Sequence, residues 1–424
     1  MSGKILLAIF FSVKLFAQTS LVLTDPRATV PIGIPFFCLN GMQERELSDA
    51  IEKNLQISGY FNVLPKDSYV QRQTRCANPT LVVQSDWTII GVQYVVTASL
   101  RETGDELIGD FFLIDTSKGV VMGKNYSGPS SFKRSFAHRF SNEILRFFTG
   151  ELGPFGSKIV YSTKIGRFKE LAIMDMDGYD QRILTSTKGL ATSASFDPTG
   201  RRAIYTDFRK GVPDVFIIDV FAKSITQITK TNDQEFSPIF LSSDEYMVAV
   251  SNQRGGSSLV IMNRSGQVIR TVIGSLGEIN VSPSFDPVNR ILYFVSDQTG
   301  KPQVYRMSMD GGFTQRVSNV PSNYCTSPAV SPKGDKLAFV CRFEGGFNLF
   351  VSNSDGSNPI QLTSYGRNED PTWSPDGRYI AFASTAARGQ SSISIIRYDG
   401  RAFTTVSKPF GSGDSEPSWG PIIN

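Results

Sequence analysis

A short unit returns again and again through the C-terminal part of the chain, and it limits the possible folds more than any other feature. In its fullest form it reads Asp370-Pro-Thr-Trp-Ser-Pro-Asp-Gly377, followed by the alternating run Arg378 to Ser384. Related copies are Ser193-Ala-Ser-Phe-Asp-Pro-Thr-Gly200, Ser237-Pro-Ile-Phe-Leu-Ser-Ser-Asp244, Ser282-Pro-Ser-Phe-Asp-Pro-Val-Asn289, Ser327-Pro-Ala-Val-Ser-Pro-Lys-Gly334 and Glu416-Pro-Ser-Trp-Gly-Pro421. The second residue of each copy falls at 194, 238, 283, 328, 371 and 417, giving spacings of 44, 45, 45, 43 and 46. A period in this range, with strand-like runs and turn residues at fixed offsets, is the mark of a β-propeller, and six copies predict six blades.

Each repeat has the same internal order. Arg378 to Ser384 reads as one strand and Ser391 to Tyr398 as the next; Asp399-Gly400 turns the chain into Phe403 to Ser407, and Pro417 to Gly420 opens the next copy. Asp-Gly is a strong hairpin signal because both turn positions favour φ > 0. It stands at the same place in Asp177-Gly178, Asp310-Gly311 and Asp355-Gly356. A blade is therefore four strands: inner, second, third and outer. The first repeat starts at a second strand, Ile159 to Tyr161, whereas the last ends on an inner strand, so the C-terminal strand is expected to complete the first blade. Such closure removes the unpaired edges that an open array presents.

A different organisation precedes this array. Lys4 and the apolar run Ile5 to Val13, with Ala17 before Gln18, form a signal peptide over residues 1–17, too short to span a bilayer. Residues 18–30 hold Pro26 and no sustained period, and read as an extended tail. Residues 31–151 alternate between strand and helix patterns: a strand at Pro31 to Phe37, a helix at Glu44 to Ser58 with Leu47, Ile51 and Leu55 on one stripe, and a helical stretch from Leu81 to Ile90. Strands at Gln93 to Leu100, Glu106 to Asp115 and Gly119 to Tyr126 follow, then a helix from Ser131 to Thr149 with Phe136, Phe140, Ile144 and Phe147 on one side. This is a small α/β domain. The propeller is assigned to residues 156–424. The fold class is mainly β: a six-bladed propeller behind a small α/β domain.

Composition excludes several functions. With 43 Lys+Arg against 39 Asp+Glu the net charge is +4, without basic clusters that would track nucleic acid. His138 is the single histidine and lies mid-helix, which leaves no His-based zinc site or Ser-His-Asp triad elsewhere. No Gly-x-Ser-x-Gly occurs, and Asp175-Met-Asp177-Gly178 lacks the remaining positions of a calcium loop. No cofactor and no metal site is expected. Trp373, Trp419, Phe196, Phe240 and Phe285 are read as packing between blades.

The four cysteines fit an oxidising compartment. If Ser331 pairs with Asp335 across the turn, Cys325 stands opposite Cys341, within disulfide range at a non-hydrogen-bonded site. The alternatives are this bridge and a pair of buried thiols. Cys38 and Cys76 are a second candidate pair.

One face collects the loops between second and third strands. They carry Lys164 and Arg167, Arg209 and Lys210, Arg254, Lys301, Arg342, and Arg388, so every blade supplies a cation beside a glycine. Exposed turns carry Lys and Arg for solvation alone, but a cation in all six favours a ring that would speed the approach of an acidic surface.

The repeat anchors, the helix Ala137-His-Arg-Phe-Ser-Asn-Glu-Ile144 followed by Thr149-Gly-Glu151, and Asp297-Gln-Thr-Gly-Lys-Pro-Gln-Val-Tyr305 together resemble the TolB family, from the signal peptide to the last strand. The resemblance implies a non-enzymatic periplasmic partner protein of the Tol–Pal system, monomeric and peripheral to the membranes. It would support outer-membrane integrity and constriction of the envelope at division. It implies binding of the lipoprotein Pal around the mouth of the propeller channel, and of TolA through the tail, here Gln18, Leu21, Leu23 and Asp25. Carried onto this chain, the Pal-facing positions precede the proline of successive inner strands: Ser237, Val281, Ser282, Asp370 and Glu416, with Gln234 one turn earlier, and Arg209, Arg254, Arg342 and Arg388 on the same face. Family members often have Glu, Asp or Ala before that proline; this chain has Ser at four of the six. A metal-dependent hydrolase or a carbohydrate-binding propeller remains an alternative reading.

Overall fold

The computed structural model describes residues 29–70, 80, 82–251, 255–274, 277–385 and 389–422. The expected leader, residues 18–28 of the expected tail, Cys76, Arg254 and Arg388 lie outside them; Val30, expected in the tail, instead opens the first strand.

The N-terminal part is a seven-stranded mixed sheet centred on Tyr94–Thr103. That strand pairs in parallel with Val30–Gly33 and Phe37–Leu39 on one side, and antiparallel with Glu106–Asp115 on the other, with Gly119–Pro129 beyond. Helix α1 (Glu46–Ser58) buries Leu47, Ile51 and Leu55 and ends at Gly59, whose φ of 68° is left-handed. A short helix α2 (Gln84–Ile89) is narrower than the stretch expected from Leu81 to Ile90, and covers the opposite sheet face with Trp87. Trp87 lies so close that a Cβ on Gly33 would stand 2.3 Å from its ring. Helix α3 (Lys133–Thr149) buries Phe136, Phe140, Ile144 and Phe148. Phe148 takes the place expected of Phe147, because steps of four residues keep the stripe on one side of the helix.

Beyond this part the described strands fall into six four-stranded units arranged as propeller blades, numbered here from the N-terminal side. Blade 1 is closed as anticipated: Gly413–Ile422 pairs antiparallel with Ser157–Ile165, Asp414 facing Thr163 and Trp419 facing Ile159. The strand is longer than the Pro417 to Gly420 segment expected. Apolar side chains lie between neighbouring blades. Ile204 and Val215 of blade 2 meet Tyr246, Val248 and Val260 of blade 3 in one cluster, and Val340 and Leu349 of blade 5 meet Trp373 and Phe382 of blade 6 in another.

Every inner strand slips by one residue against its second strand at the position before proline or its equivalent. This slip corrects the reasoning used for the cysteines. The turn after Ser331 closes one residue wider than expected, with Ser331 N donating to the Lys336 carbonyl at 2.9 Å, so Val330 faces Leu337. The slip at Ser327-Pro328 then restores the register, and Cys325 faces Cys341 with Cα atoms 4.1 Å apart, joined by a disulfide. Two offsets cancel. Cys38 is also disulfide-bonded.

Candidate functional site at the channel mouth

The slipped residues define the site. Proline donates no N–H to the ladder and so suits a bulge, and blade 2 makes the same bulge with Ala194 in its place. The preceding residue takes up the extra length in the left-handed region: φ is 52° at Ser193, 50° at Ser237, 51° at Ser282, 50° at Ser327, 55° at Asp370 and 53° at Glu416. A side chain there costs about 1 kcal/mol or more, and the ring holds all six in place. These residues and the two that follow each of them line one cavity of about 320 Å³ at the centre of the ring.

Hydroxyls two residues further on tie adjacent blades together. Ser284 Oγ accepts from Val330 N at 3.0 Å, Thr372 Oγ1 from Trp419 N at 3.2 Å, and Ser418 Oγ from Phe196 N at 3.1 Å. The Trp373 indole donates to the Ala329 carbonyl at 2.8 Å. Backbone N–H groups on the unpaired edge of the inner strands are thereby satisfied across blades, which stiffens the rim. Sequence reading missed these bonds, although Ser or Thr directly after the proline was the available signal.

The lip is uneven. Blades 2 to 5 contribute serine, whereas blades 6 and 1 contribute Asp370 and Glu416. Glu416 is engaged, with Lys169 Nζ 3.0 Å away and the Ser193 N–H donated to its other oxygen. Asp370 accepts from Ser327 Oγ at 3.2 Å. Withdrawal from water and the neighbouring Glu416 and Glu369 push its carboxyl up to about 7. Ser237 and Ser282 are half-buried on the channel wall with Gln234 exposed beside them, whereas Val281, also expected there, packs against the apolar cluster between blades 3 and 4.

Around the lip stand the loop cations. Lys164, Arg167, Lys210, Lys301 and Arg342 are exposed. Arg209 is turned inward: its guanidinium donates to buried Asp207 at 2.6 Å and to the Tyr205 hydroxyl at 2.9 Å, and covers the Phe216 ring at 4.1 Å. The loops arriving from the outer strands add exposed Lys188, Lys230 and Lys408, which the sequence reading left out. Their signal was available, because those loops lead to the same face as the second-to-third connections. The acidic side chains Asp233, Glu278 and Glu344 are exposed among them.

The opposite face meets the N-terminal part. Arg378 donates to Thr149 Oγ1 at 2.9 Å and to the Glu151 and Leu152 carbonyls, while holding Asp376 at 2.8 Å. The Tyr379 hydroxyl donates to the Ser58 carbonyl at 3.2 Å, and Arg397 stacks on Tyr60 at 4.0 Å. His138 is buried in this junction, its Nδ1 accepting from the Asn54 amide Nδ2 at 3.0 Å; burial lowers its pKa from the ordinary imidazole value. It is a packed helix residue.

A closed propeller carrying an α/β part on one face and a polar, cation-ringed channel mouth on the other defines a class of two-part propeller proteins. Residues 22–122 match the family model of the TolB amino-terminal domain, and residues 146–423 match that of the TolB beta propeller domain. The chain belongs to the TolB family. It is 28% identical over 398 residues to the Tol-Pal system protein TolB of Bordetella pertussis, covering 92% of this chain and 88% of that protein. The same protein of Bordetella bronchiseptica is as similar, at 28% over 398 residues. Among solved structures, TolB from Acinetobacter baumannii superposes with a TM-score of 0.79 at 23% identity, over 93% of this chain and 97% of that one, and so shares the fold. No described helix is long and apolar enough to cross a membrane. Among the described residues no group of three or more His, Cys, Asp or Glu stands close enough to share a metal ion.

Proposed function

We propose that this chain works in the periplasm as a non-catalytic docking protein of the Tol–Pal system, after cleavage of a leader at residues 1–17. Its channel face receives Pal, and residues 18–30, with Gln18, Leu21, Leu23 and Asp25, engage TolA. Through these contacts it serves outer-membrane integrity and constriction at division. The observation that carries the reading is the rim of the channel mouth and the exposed cations around it. A rigid rim of six equivalent positions opens on a face whose loop cations are exposed, and such a surface steers and orients an acidic protein partner. Family membership supports the choice of Pal, since its TolB relatives are named as Tol-Pal system proteins.

The test is calorimetric titration of the mature chain with the soluble domain of Pal and, separately, of TolA. Removing residues 18–28 is expected to abolish TolA binding and leave Pal binding intact. Changing Lys301 and Arg342 to Glu is expected to weaken Pal alone. Retention of both partners in both variants would overturn the site assignment.

A further inference from the structure

The channel face is not six-fold in its apolar groups. Three successive loops, leading into blades 6, 1 and 2, present Tyr365 at 73% exposure, Phe410 at 44% and Leu190 at 41%. The corresponding loop into blade 3 offers polar Gln234, and that into blade 5 offers Tyr324, half-buried edge-on against Phe347 at 6.0 Å. Ile279, in the loop into blade 4, is 45% exposed and stands across the channel from these three. Blades 6 and 1 also supply the two acidic lip residues. Single exposed apolar side chains on a surface need no explanation. Three in consecutive loops beside a cavity, inside a ring of exposed cations, match the make-up of a binding patch with apolar anchors and a charged rim.

We propose that the partner docks off-centre, with Tyr365, Phe410 and Leu190 as its apolar anchors and a basic or hydrogen-bond-donating group of the partner reaching Asp370. This rests on the reading of Pal as occupant of the face. Pal would then offer apolar pockets and one cationic group on the side toward blades 6, 1 and 2, and acidic groups elsewhere. The exposed cations contribute approach and orientation; the anchors hold the complex together.

The soluble domain of Pal titrated into the unmodified chain and into Tyr365→Ser, Phe410→Ser and Ile279→Ser decides the matter. The first two variants are expected to weaken binding about tenfold or more, and Ile279→Ser by less than about twofold. Hydrogen exchange on addition of Pal should slow at residues 363–366 and 408–412 and not at 277–279, a readout that does not depend on substitution. Wild-type affinity in Tyr365→Ser and Phe410→Ser, or protection centred on 277–279, overturns the off-centre mode and leaves Pal as partner. Failure of the unmodified chain to bind Pal overturns the partner assignment and this inference with it.

Discussion

The two faces of the propeller treat charge in opposite ways. On the face toward the N-terminal part, Arg378 and Arg397 lie buried, each holding an aspartate at 2.8 Å, and Arg134 is paired with buried Asp177. Further out on this face Arg201 reaches Asp219 at 2.8 Å and Arg290 reaches Asp310 at 2.9 Å. On the channel face Lys164, Arg167, Lys301 and Arg342 stand exposed, while Arg209 turns in and Lys169 and Arg367 pair with Glu416 and Glu369. The buried arginines of one face hold the molecule together; the exposed loop cations of the other are available to something else. Removing a buried partner leaves an uncompensated charge, whereas removing an exposed one changes little but the field.

Both faces depend on closure, so the largest effect should come from ending the chain at Ser412. This deletes the inner strand of blade 1 with buried Trp419, whose indole donates to Ser157 Oγ at 2.7 Å. The shortened chain should lose its cooperative thermal transition by circular dichroism; a normal melt would mean the ring does not need its last strand. Next is Arg378→Ala, which strands Asp376 and two carbonyls at the junction and should cost about 3–5 kcal/mol in urea unfolding, with Pal affinity unchanged. If affinity changes and stability does not, the contrast between the faces is reversed.

The paired substitution Lys301→Glu with Arg342→Glu should leave unfolding free energy within about 1 kcal/mol while slowing Pal association and flattening its salt dependence in stopped-flow measurements. Asp370→Asn tests the lip. The folded carboxyl is raised from 3.8 to about 7, so the native state holds this proton more tightly than the unfolded chain, and stability falls as pH rises through that window. The Asn variant, whose side chain tolerates the left-handed backbone, should melt higher than the parent at pH 8, with the difference shrinking as pH is lowered and closing below 3.8. Smallest of all is Lys333→Ala, which removes an exposed bridge to Glu151 at 3.1 Å and should shift stability by less than about 1 kcal/mol.

Much of the frame was legible in the residues alone. The repeat spacing set out the blades, and the mismatch between the first and last repeats showed that the C-terminal strand must return to the first blade. Chain order decides such pairings because hairpin strands are local, and a ring leaves a single place for the odd strand. The face of the site was legible for the same reason, since alternate loops of a four-stranded blade must emerge on opposite sides.

What only the folded molecule decided concerns which partner a side chain meets and how deeply it is buried. Arg209 faced outward by position, yet buried Asp207 and the Tyr205 hydroxyl, close by in sequence, took its guanidinium. Glu416 looked free until Lys169, on the third strand of the same blade, was placed 3.0 Å from it. The cysteines met because a wider turn and a bulge offset one another, and neither is encoded in the spacing of the two residues. Local sequence settles which strands form, since that choice is a matter of periodicity and turn chemistry. Whether a given charge is spent inside the protein or left for a partner depends on burial and on which side chain it meets, from two residues away for Arg209 to 247 for Lys169, and only packing determines those.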